Sequence, residues 1–301
     1  MSTAFRITQR TVSNTMLAGL QANMGRMQKL QEQLSSGKEV SRPSDSPVKT
    51  VEAMQFRSGI RRTEQYARNA DDGLAVLGTT DAALTDSLNM TGRVRELTIQ
   101  GLNDTLNPQA REAIAAEIDT LREGLLGMAN TRYLDRPIFG GNTNSADAYD
   151  KAGTFLGDGG KVTRTVAPGV KVEANVNGPD VFGKDGEDSH LFTVLKKISD
   201  ALRGQTPDMH ADLSTGLKNL DVAVDRVITT LGQVGARFNR VETMRNAAED
   251  QLLTLTNSLS EAEDIDLPKT IVELQMQEVA YKAALGATAR VVQPSLLDFL
   301  R

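Results

Sequence analysis

The two histidines, His190 and His210, are the side chains best suited to acid–base or metal chemistry near neutral pH. A predicted helix and turn separate them, and neither lies in an HExxH or comparable metal-binding spacing. The chain has no cysteine, which excludes thiolate catalysis, disulfides and cysteine-based zinc sites. We therefore expect both histidines at the surface, without a catalytic or ligand role.

Two segments in the middle of the chain resemble binding loops only in composition. An acidic cluster is formed by Asp180, Asp185, Glu187 and Asp188. Phe182 and Lys184 stand where a calcium loop needs acidic ligands, which favours a solvated loop. The glycine-rich run at 157–160 lacks the Lys-Ser/Thr pair of a phosphate loop and favours a hairpin turn. No Gly-x-Ser-x-Gly elbow is present, so we predict no enzyme, no cofactor and no metal site.

Composition limits the remaining function classes. The chain has 301 residues, of which 39% are apolar, 24% charged and only 4% aromatic, with no tryptophan. About two domains fit this length, and long helices fit the composition better than an aromatic-lined pocket. A net charge of −5 argues against general nucleic-acid binding. No run of 18 apolar residues exists, so no membrane insertion is expected.

The start of the chain is polar and lacks the apolar region of a cleavable secretory signal. We expect a cytoplasmic protein or one exported by a route that needs no such signal. Residues 1–70 carry more basic than acidic side chains, and residues 260–301 carry the reverse. Either these are solvated helix faces, or the two ends lie against each other or against neighbouring subunits.

A heptad pattern predicts an amphipathic helix over residues 9–36. Its apolar seam consists of Met16, Leu20, Met27, Leu30 and Leu34, with Asn23 as a polar exception. Gly37 suits the helix C-terminus. The segment 41–47 is rich in serine and proline and predicts a corner loop with Pro43, Asp45 and Pro47 as its defining residues.

Two further helices are predicted in the first half, from Pro47 to about residue 102 and from about Pro108 to Arg132. Their apolar positions are Leu74, Leu77, Leu84 and Leu88 in the first, and Ile114, Ile118, Leu121, Leu125 and Met128 in the second. Residues 140–188 are rich in Gly, Asn and Asp. The alternating segments 161–166 and 170–174 predict hairpin strands, so we expect a small β-rich insertion here.

Helical periodicity returns over residues 191–202, about 208–260 and from Leu267 to about Val292, where Pro294 is expected to end the last helix. The last helix has the seam Leu267, Ile271, Leu274, Tyr281 and Leu285. The chain then ends in a segment with the apolar residues Leu296, Leu297, Phe299 and Leu300. Such a patch at a chain end is typical of a contact surface, although it could also fold back onto the stem.

The predicted fold class is mainly α: a long antiparallel helical bundle or coiled coil built from both chain ends, with a small β-rich domain inserted in the middle. We expect three parts. Residues 1–44 and 265–301 form an inner coiled coil of terminal helices, residues 45–139 and 190–264 form a helical stem, and residues 140–189 form the outer insertion. An isolated amphipathic helix is marginal in water, so the terminal helices should pair with each other, with other subunits, or with both.

Several motifs resemble the bacterial flagellin family. They are Arg6-Ile7-Thr8, Leu34-Ser35-Ser36-Gly37-Lys38, Pro43-Ser44-Asp45-Ser46-Pro47, Arg68-Asn69-Ala70-Asp71-Asp72-Gly73 and Gly232-Gln233-Val234-Gly235-Ala236-Arg237-Phe238-Asn239. The resemblance covers about residues 1–140 and 190–301. Within the family, three features are similar to the subunits of the hook–filament junction: the Pro-Ser-Asp-x-Pro loop, Ile138-Phe139-Gly140-Gly141 and the Leu296–Leu300 ending.

The resemblance implies export through the flagellum's own channel in a partly unfolded state, and a final place at the hook–filament junction. It implies a homo-oligomeric ring, with a hook-associated protein below, flagellin above and an export chaperone that covers the C-terminal segment. The hypothesis is coupled folding and assembly, in which the terminal helices order only when they dock. Two alternatives stay open: a filament-forming flagellin, and a cytoplasmic coiled-coil adaptor.

Overall fold

The computed structural model describes the backbone of residues 9–143 and 145–299, with residues 9, 10, 12, 13 and 290–299 described as backbone alone. Long helices dominate this part of the chain, as the heptad patterns predict. The helices are α1 (Gln9–Ser36), α2 (Pro47–Gly101), α3 (Pro108–Ala129), α4 (Gly178–Phe182), α5 (Leu191–Leu202), α6 (Met209–Glu263) and α7 (Leu267–Phe299). The mainly α fold class is thus confirmed.

In the described part of the chain, four short strands form two antiparallel hairpins. Strands β1 (Arg132–Tyr133) and β2 (Arg136–Pro137) make the first, and β3 (Thr163–Ala167) and β4 (Val170–Glu173) make the second. The sequence predicted β3 and β4, whose turn contains Gly169 at φ +74°. It did not predict β1 and β2, because strands of two residues are too short to show an alternating pattern.

Two compact units divide the chain. The terminal unit contains residues 1–61 and 253–301, and the central unit contains residues 62–252. Helices α2 and α6 each contribute residues to both units. The predicted three-part division stays a prediction.

The central unit has an extensive apolar core of 34 buried residues. Helix α3 lies against α5, and their buried faces include Ile118, Leu125 and Leu195. Leu77 and Leu84 of α2 are fully buried, whereas Leu74 and Leu88 are only half-buried. Apolar burial on this scale is what stabilises an independently folding domain.

The insertion joins this core through aromatic rings. Tyr149 contacts Phe182 and Phe192, with ring centroids 5.6 and 5.2 Å apart. Asn130, at the end of α3, accepts hydrogen bonds from the backbone N–H groups of Ala148 and Tyr149, each at 2.8 Å. The insertion is therefore part of the central unit's core.

The first helix ends where its capping signal predicts, and the last helix does not. Gly37 follows α1 at φ +73°, and its N–H donates to the carbonyl of Gln33 at 2.8 Å, as expected of a C-terminal glycine. The predicted stop at Pro294 is wrong, because α7 continues to Phe299. Proline's φ is compatible with a helix, and one missing hydrogen bond near a helix end is tolerated. Gly178 and Pro179 are the first two residues of the short helix α4, where proline fits the first turn.

Candidate assembly interface

Helices α1 and α7 pair in antiparallel fashion within the terminal unit. Near the end of α1, the Ile265 N–H donates to the Gly37 carbonyl at 3.0 Å. Towards its start, the Gln277 side chain donates to the Asn23 carbonyl at 3.3 Å. Residue numbers fall along α1 as they rise along α7, which fixes the antiparallel direction. The two terminal helices therefore pair with each other within a single chain, as one of the expected arrangements.

The α1 side of this pair is a half-buried apolar seam. Its members are Met16, Leu20, Met27, Leu30 and Leu34, with Asn23 between them. The seam keeps the alternating four- and three-residue steps of a coiled coil. None of these side chains is fully buried, so one helix alone covers them incompletely.

The α7 side differs from the seam chosen by hydropathy. Leu274 and Tyr281 are half-buried, but Leu267, Ile271 and Leu285 are 52%, 38% and 44% exposed. The heptad positions on either side of Leu274 and Tyr281 are also covered, but they are polar or small: Thr270, Gln277, Ala284 and Thr288. Hydropathy could not select these positions, because only geometry shows that they continue the heptad through Leu274 and Tyr281.

A second apolar stripe on α7 lies away from α1. Val272, Met276 and Val279 are 50%, 67% and 67% exposed and follow steps of four and three residues, which place them on one helix face. On α1, Leu17 and Met24 lie beside the seam and are also exposed. The sequence reasoning missed these residues, although the 272–276–279 spacing was readable. Such a row of uncovered apolar side chains is typical of a contact surface.

A buried carboxylate holds the corner where α1, α2, α6 and α7 begin or end. The Glu263 side chain is only 4% exposed and forms ion pairs with Lys38 and Arg57. Its backbone carbonyl accepts the Glu39 N–H at 2.7 Å, and Lys38 forms a β-bridge with Asp264. A carboxylate this deeply buried needs such cationic partners. The sequence did not predict this contact, because Lys38, Arg57 and Glu263 are far apart along the chain and belong to no motif.

The predicted corner loop lies beside these contacts. Pro43, Asp45 and Pro47 are all exposed, and Pro47 is the first residue of α2. Asp45 accepts a hydrogen bond from the Arg42 N–H at 3.0 Å and pairs with Lys29 at 3.3 Å. The backbone hydrogen bond and then Lys29 lower the pKa of the Asp45 carboxyl, so it is ionised at neutral pH. The loop is a hydrogen-bonded corner.

The C-terminal contact predicted from Leu296, Leu297, Phe299 and Leu300 falls largely outside the described residues. The first three lie on the backbone of α7, but their side chains, like the whole of Leu300, are not described. Their contact role stays a prediction.

The two histidines differ in burial, and the expectation that His190 lies at the surface is wrong. His190 precedes α5 and is 3% exposed, packed against the ring of Phe192, because the aromatic core extends to the start of α5. Its Nδ1 lies 2.8 Å from Thr193 Oγ1, and its Nε2 lies 3.5 Å from Asp185. Burial lowers the pKa of this imidazole. His210 is exposed near Asp104, as expected.

Within residues 9–143 and 145–299, no group of three or more metal-ligating side chains comes together. Nor does any described helix combine the length and apolarity needed to cross a bilayer. The features that remain are the terminal helix pair, its exposed apolar stripe and the corner that holds it.

Comparison with known proteins decides the family resemblance. Residues 7–143 match the profile described as the bacterial flagellin N-terminal helical region. Over these residues the chain is similar to the bacterial flagellins. The chain is 26% identical to flagellar hook-associated protein 3 of Escherichia coli K12, over 90% of the chain and 92% of that protein. It is also 26% identical to flagellin of Bacillus subtilis 168, over 98% of the chain and all of that protein.

Solved structures give the same picture. FlgL of Bacillus cereus is 25% identical to the chain and superposes with a TM-score of 0.60, over 68% of this chain and 99% of that one. The resemblance to the family and to its hook-associated members is thus confirmed. The chain is thus equally identical to a hook-associated protein and to a flagellin.

Proposed function

We propose that this chain is a structural subunit at the hook–filament junction of the bacterial flagellum. It joins the hook-associated protein below to the flagellin filament above, and it does so as a ring of copies. Relatives that match 90% and 98% of the chain are flagellar proteins by name. The Leu296–Leu300 ending and the Ile138–Gly141 stretch favour the junction role over the filament role. It carries no catalytic activity in this role.

The exposed stripe on α7 is the single observation that carries the proposal. Val272, Met276 and Val279 are at least half exposed while the opposite face of the same helix lies against α1. A pair of helices with apolar surface on an outer face is only half of a buried assembly. Neighbouring subunits supply the missing cover.

Coupled folding and assembly follows from the same exposed apolar surface on α7. Ordering the backbone of each residue costs about 1–2 kcal/mol, and apolar burial returns about 25 cal/mol per Å². Ala53 is the one apolar residue of the terminal unit that is buried among the described residues. The terminal pair of a free subunit is therefore marginal and becomes stable when docking covers the stripe. A marginal pair also suits export in a partly unfolded state.

The first test is amide hydrogen exchange on the free full-length subunit. We expect weak protection in residues 12–34 and in α7, and strong protection in α3 and α5. After incorporation into the junction, residues 12–34 should become protected. Strong protection of residues 12–34 in a dilute monomer would sink the coupled-folding part of the proposal.

The second test addresses the place in the flagellum. Cells that lack this protein should carry hooks without filaments and should shed flagellin into the medium, as seen by electron microscopy and by analysis of the medium. Deletion of residues 295–301 should impair junction assembly and remove the segment that the export chaperone covers. The helicity of the central unit should stay intact. Normal filament growth in the truncated strain contradicts the contact role of the C-terminal segment.

The alternatives give different outcomes. A filament-forming flagellin grows into long helical filaments when the pure protein polymerises, whereas a junction subunit forms a finite ring or stays monomeric. The equal identity to a flagellin is the observation that keeps this candidate. A cytoplasmic coiled-coil adaptor would remain in the cytoplasm, and fractionation of cells and flagella separates it from both.

A further inference from the structure

The tip of the β1–β2 hairpin combines backbone strain with an exposed apolar side chain. Its two-residue turn consists of Leu134 and Asp135, with φ values of +47° and +63°. Asn-Gly and similar pairs usually fill such turns, because leucine is disfavoured at positive φ. Leu134 is also 77% exposed, so the core gains nothing from it. A strained position that holds a large exposed apolar residue indicates a contact made outside this chain.

Charged side chains surround this tip. Arg132, Asp135 and Arg136 are exposed, and none of them forms an ion pair within the described part of the chain. The tip therefore presents one apolar residue between two cations and one anion. A complementary site needs an apolar wall with two carboxylates and one cation.

A cleft on the central unit contains side chains of these kinds. It has a volume of about 650 Å³ and lies between α6, α4 and the loop that precedes α5. Val222 of α6 lines it and is 50% exposed. Asp180, Lys184 and Asp225 also line it, are exposed, and form no ion pair among the residues the structure describes. The other charged side chains of the cleft pair with one another: Glu173 with Lys161 and Arg237, and Glu187 with Arg226. Beside these pairs, the cleft offers the exposed apolar side chain of Val222, two carboxylates and one cation.

The tip and the cleft flank opposite faces of the β3–β4 hairpin. Glu173 of β4 lines the cleft, whereas Arg164 of β3 lines the cavity beside Leu134. Glu173 pairs across the hairpin with Thr163, the neighbour of Arg164. Paired residues share a face of the sheet and successive residues of a strand point to opposite faces, so Glu173 and Arg164 lie on different sides. Two unlike patches on different sides of a subunit are what a head-to-tail ring requires.

We propose that the β1–β2 tip of one copy docks into the α6 cleft of the next copy in the ring. Leu134 contacts Val222, Arg132 and Arg136 lie near Asp180 and Asp225, and Asp135 lies near Lys184. This inference rests on the proposed ring of copies and names the surfaces that join them. The charge pattern selects the orientation of the tip, and the apolar contact stabilises it.

Cross-linking tests the docking directly, because the chain has no cysteine of its own. A Leu134→Cys chain is mixed with a Val222→Cys chain, at high concentration in solution and in flagella isolated from cells that express both. We expect a disulfide-linked dimer in mild oxidant. The matched control is Ile228→Cys, on the same helix, 49% exposed and outside the cleft, which should cross-link at least tenfold less.

Two further variants separate contact from folding. Leu134→Asn relieves the strained turn, so it should keep or raise the melting temperature and still weaken self-association at least tenfold. Asp225→Lys should weaken association, and the added Arg136→Glu should restore part of it, as a reciprocal charge exchange does.

The outcomes distinguish this proposal from the proposed function. If the chain is present in isolated junctions but the 134–222 pair cross-links no better than the 134–228 pair, the docking is wrong and the junction role stands. Cross-linking of Leu134→Cys to a different flagellar protein also overturns the docking. If the 134–222 dimer forms in solution but the chain is absent from flagella, the docking stands and the junction role is wrong.

Discussion

The central and terminal units use the same kind of long helix but differ in how they are stabilised. Among the described residues, the central unit buries 34 apolar residues in one core, whereas the terminal unit buries Ala53 alone. Helices α2 and α6 take part in both units, so helix propensity cannot explain the difference. The difference lies in what covers each apolar face. The central unit is self-sufficient, and the terminal unit leaves apolar surface for partners.

Polar contacts follow the same division. In the central unit, ion pairs such as Arg164–Asp72 and Arg237–Glu173 lie around a core that already exists. In the terminal unit, the buried Glu263 and its two cations take the place of a core at the corner. The terminal unit therefore has a fixed corner and a weakly covered pair of helices.

The largest expected difference comes from truncating the core of α2. Leu84→Ala removes a fully buried side chain and should destabilise the central unit by about 2–5 kcal/mol. Met27→Ala, in the half-buried seam of α1, should cost the free subunit less than about 1 kcal/mol. Urea denaturation of the full chain, followed by circular dichroism, measures both values. Equal losses for the two variants would show that the terminal pair is as well covered as the core.

A smaller effect is expected at the corner. Glu263→Gln leaves Lys38 and Arg57 without their carboxylate, and these cations are 41% and 47% exposed, so water offsets part of the loss. We expect a cost of about 1–2 kcal/mol, confined to the terminal unit. Hydrogen exchange of residues 37–39 and 263–265 should rise, while exchange in α5 should not change. The matched control is Glu261→Gln, an exposed carboxylate on the same helix end.

The central unit should respond to acid through His190. Because burial lowers the pKa of its imidazole, the unfolded chain binds a proton more readily than the folded one. Stability should be complete above the ordinary pKa of about 6.5 and fall as the pH drops below it, by at most about 1.4 kcal/mol per pH unit.

Thermal denaturation at pH 7.5 and pH 5.5 measures this effect. His190→Asn places asparagine, a favourable N-cap residue, before α5, and it should reduce the change in melting temperature between the two pH values. His210→Asn, at an exposed site, should leave that change as it is. The same slope in His190→Asn and in the original chain contradicts the assignment to His190.

The sequence predicted the elements well because helix periodicity and capping are local signals. Gly37 and Pro47 mark real boundaries, and the ranges 9–36 and 191–202 agree with α1 and α5. It predicted the interface less well, because the partner's position is not a local property. Ile271 and Leu285 are apolar but lie beside the α1-facing seam, while Thr270 and Gln277 lie in it. Likewise, the burial of His190 depends on Phe192 and Asp185, which only the fold brings together.

The smallest effect on stability, and the most informative one for assembly, is expected on the exposed stripe of α7. Met276→Ser and Val279→Ser change side chains that are each 67% exposed, so the free subunit should change by less than about 0.5 kcal/mol. Incorporation into junctions should nevertheless fall strongly, because the stripe is the surface that neighbours cover. The amount of the protein in isolated flagella, measured by immunoblot against its cytoplasmic amount, gives the result.

Ile99→Ser provides the matched control, since Ile99 is a comparably exposed apolar residue (47%) of the central unit and lies on neither proposed surface. Its incorporation should equal that of the original chain. If the α7 variants and Ile99→Ser assemble equally well, exposed apolar side chains of the terminal unit have no special role. The contrast between the two units would then describe folding alone, because uncovered surface on α7 would no longer predict where partners bind.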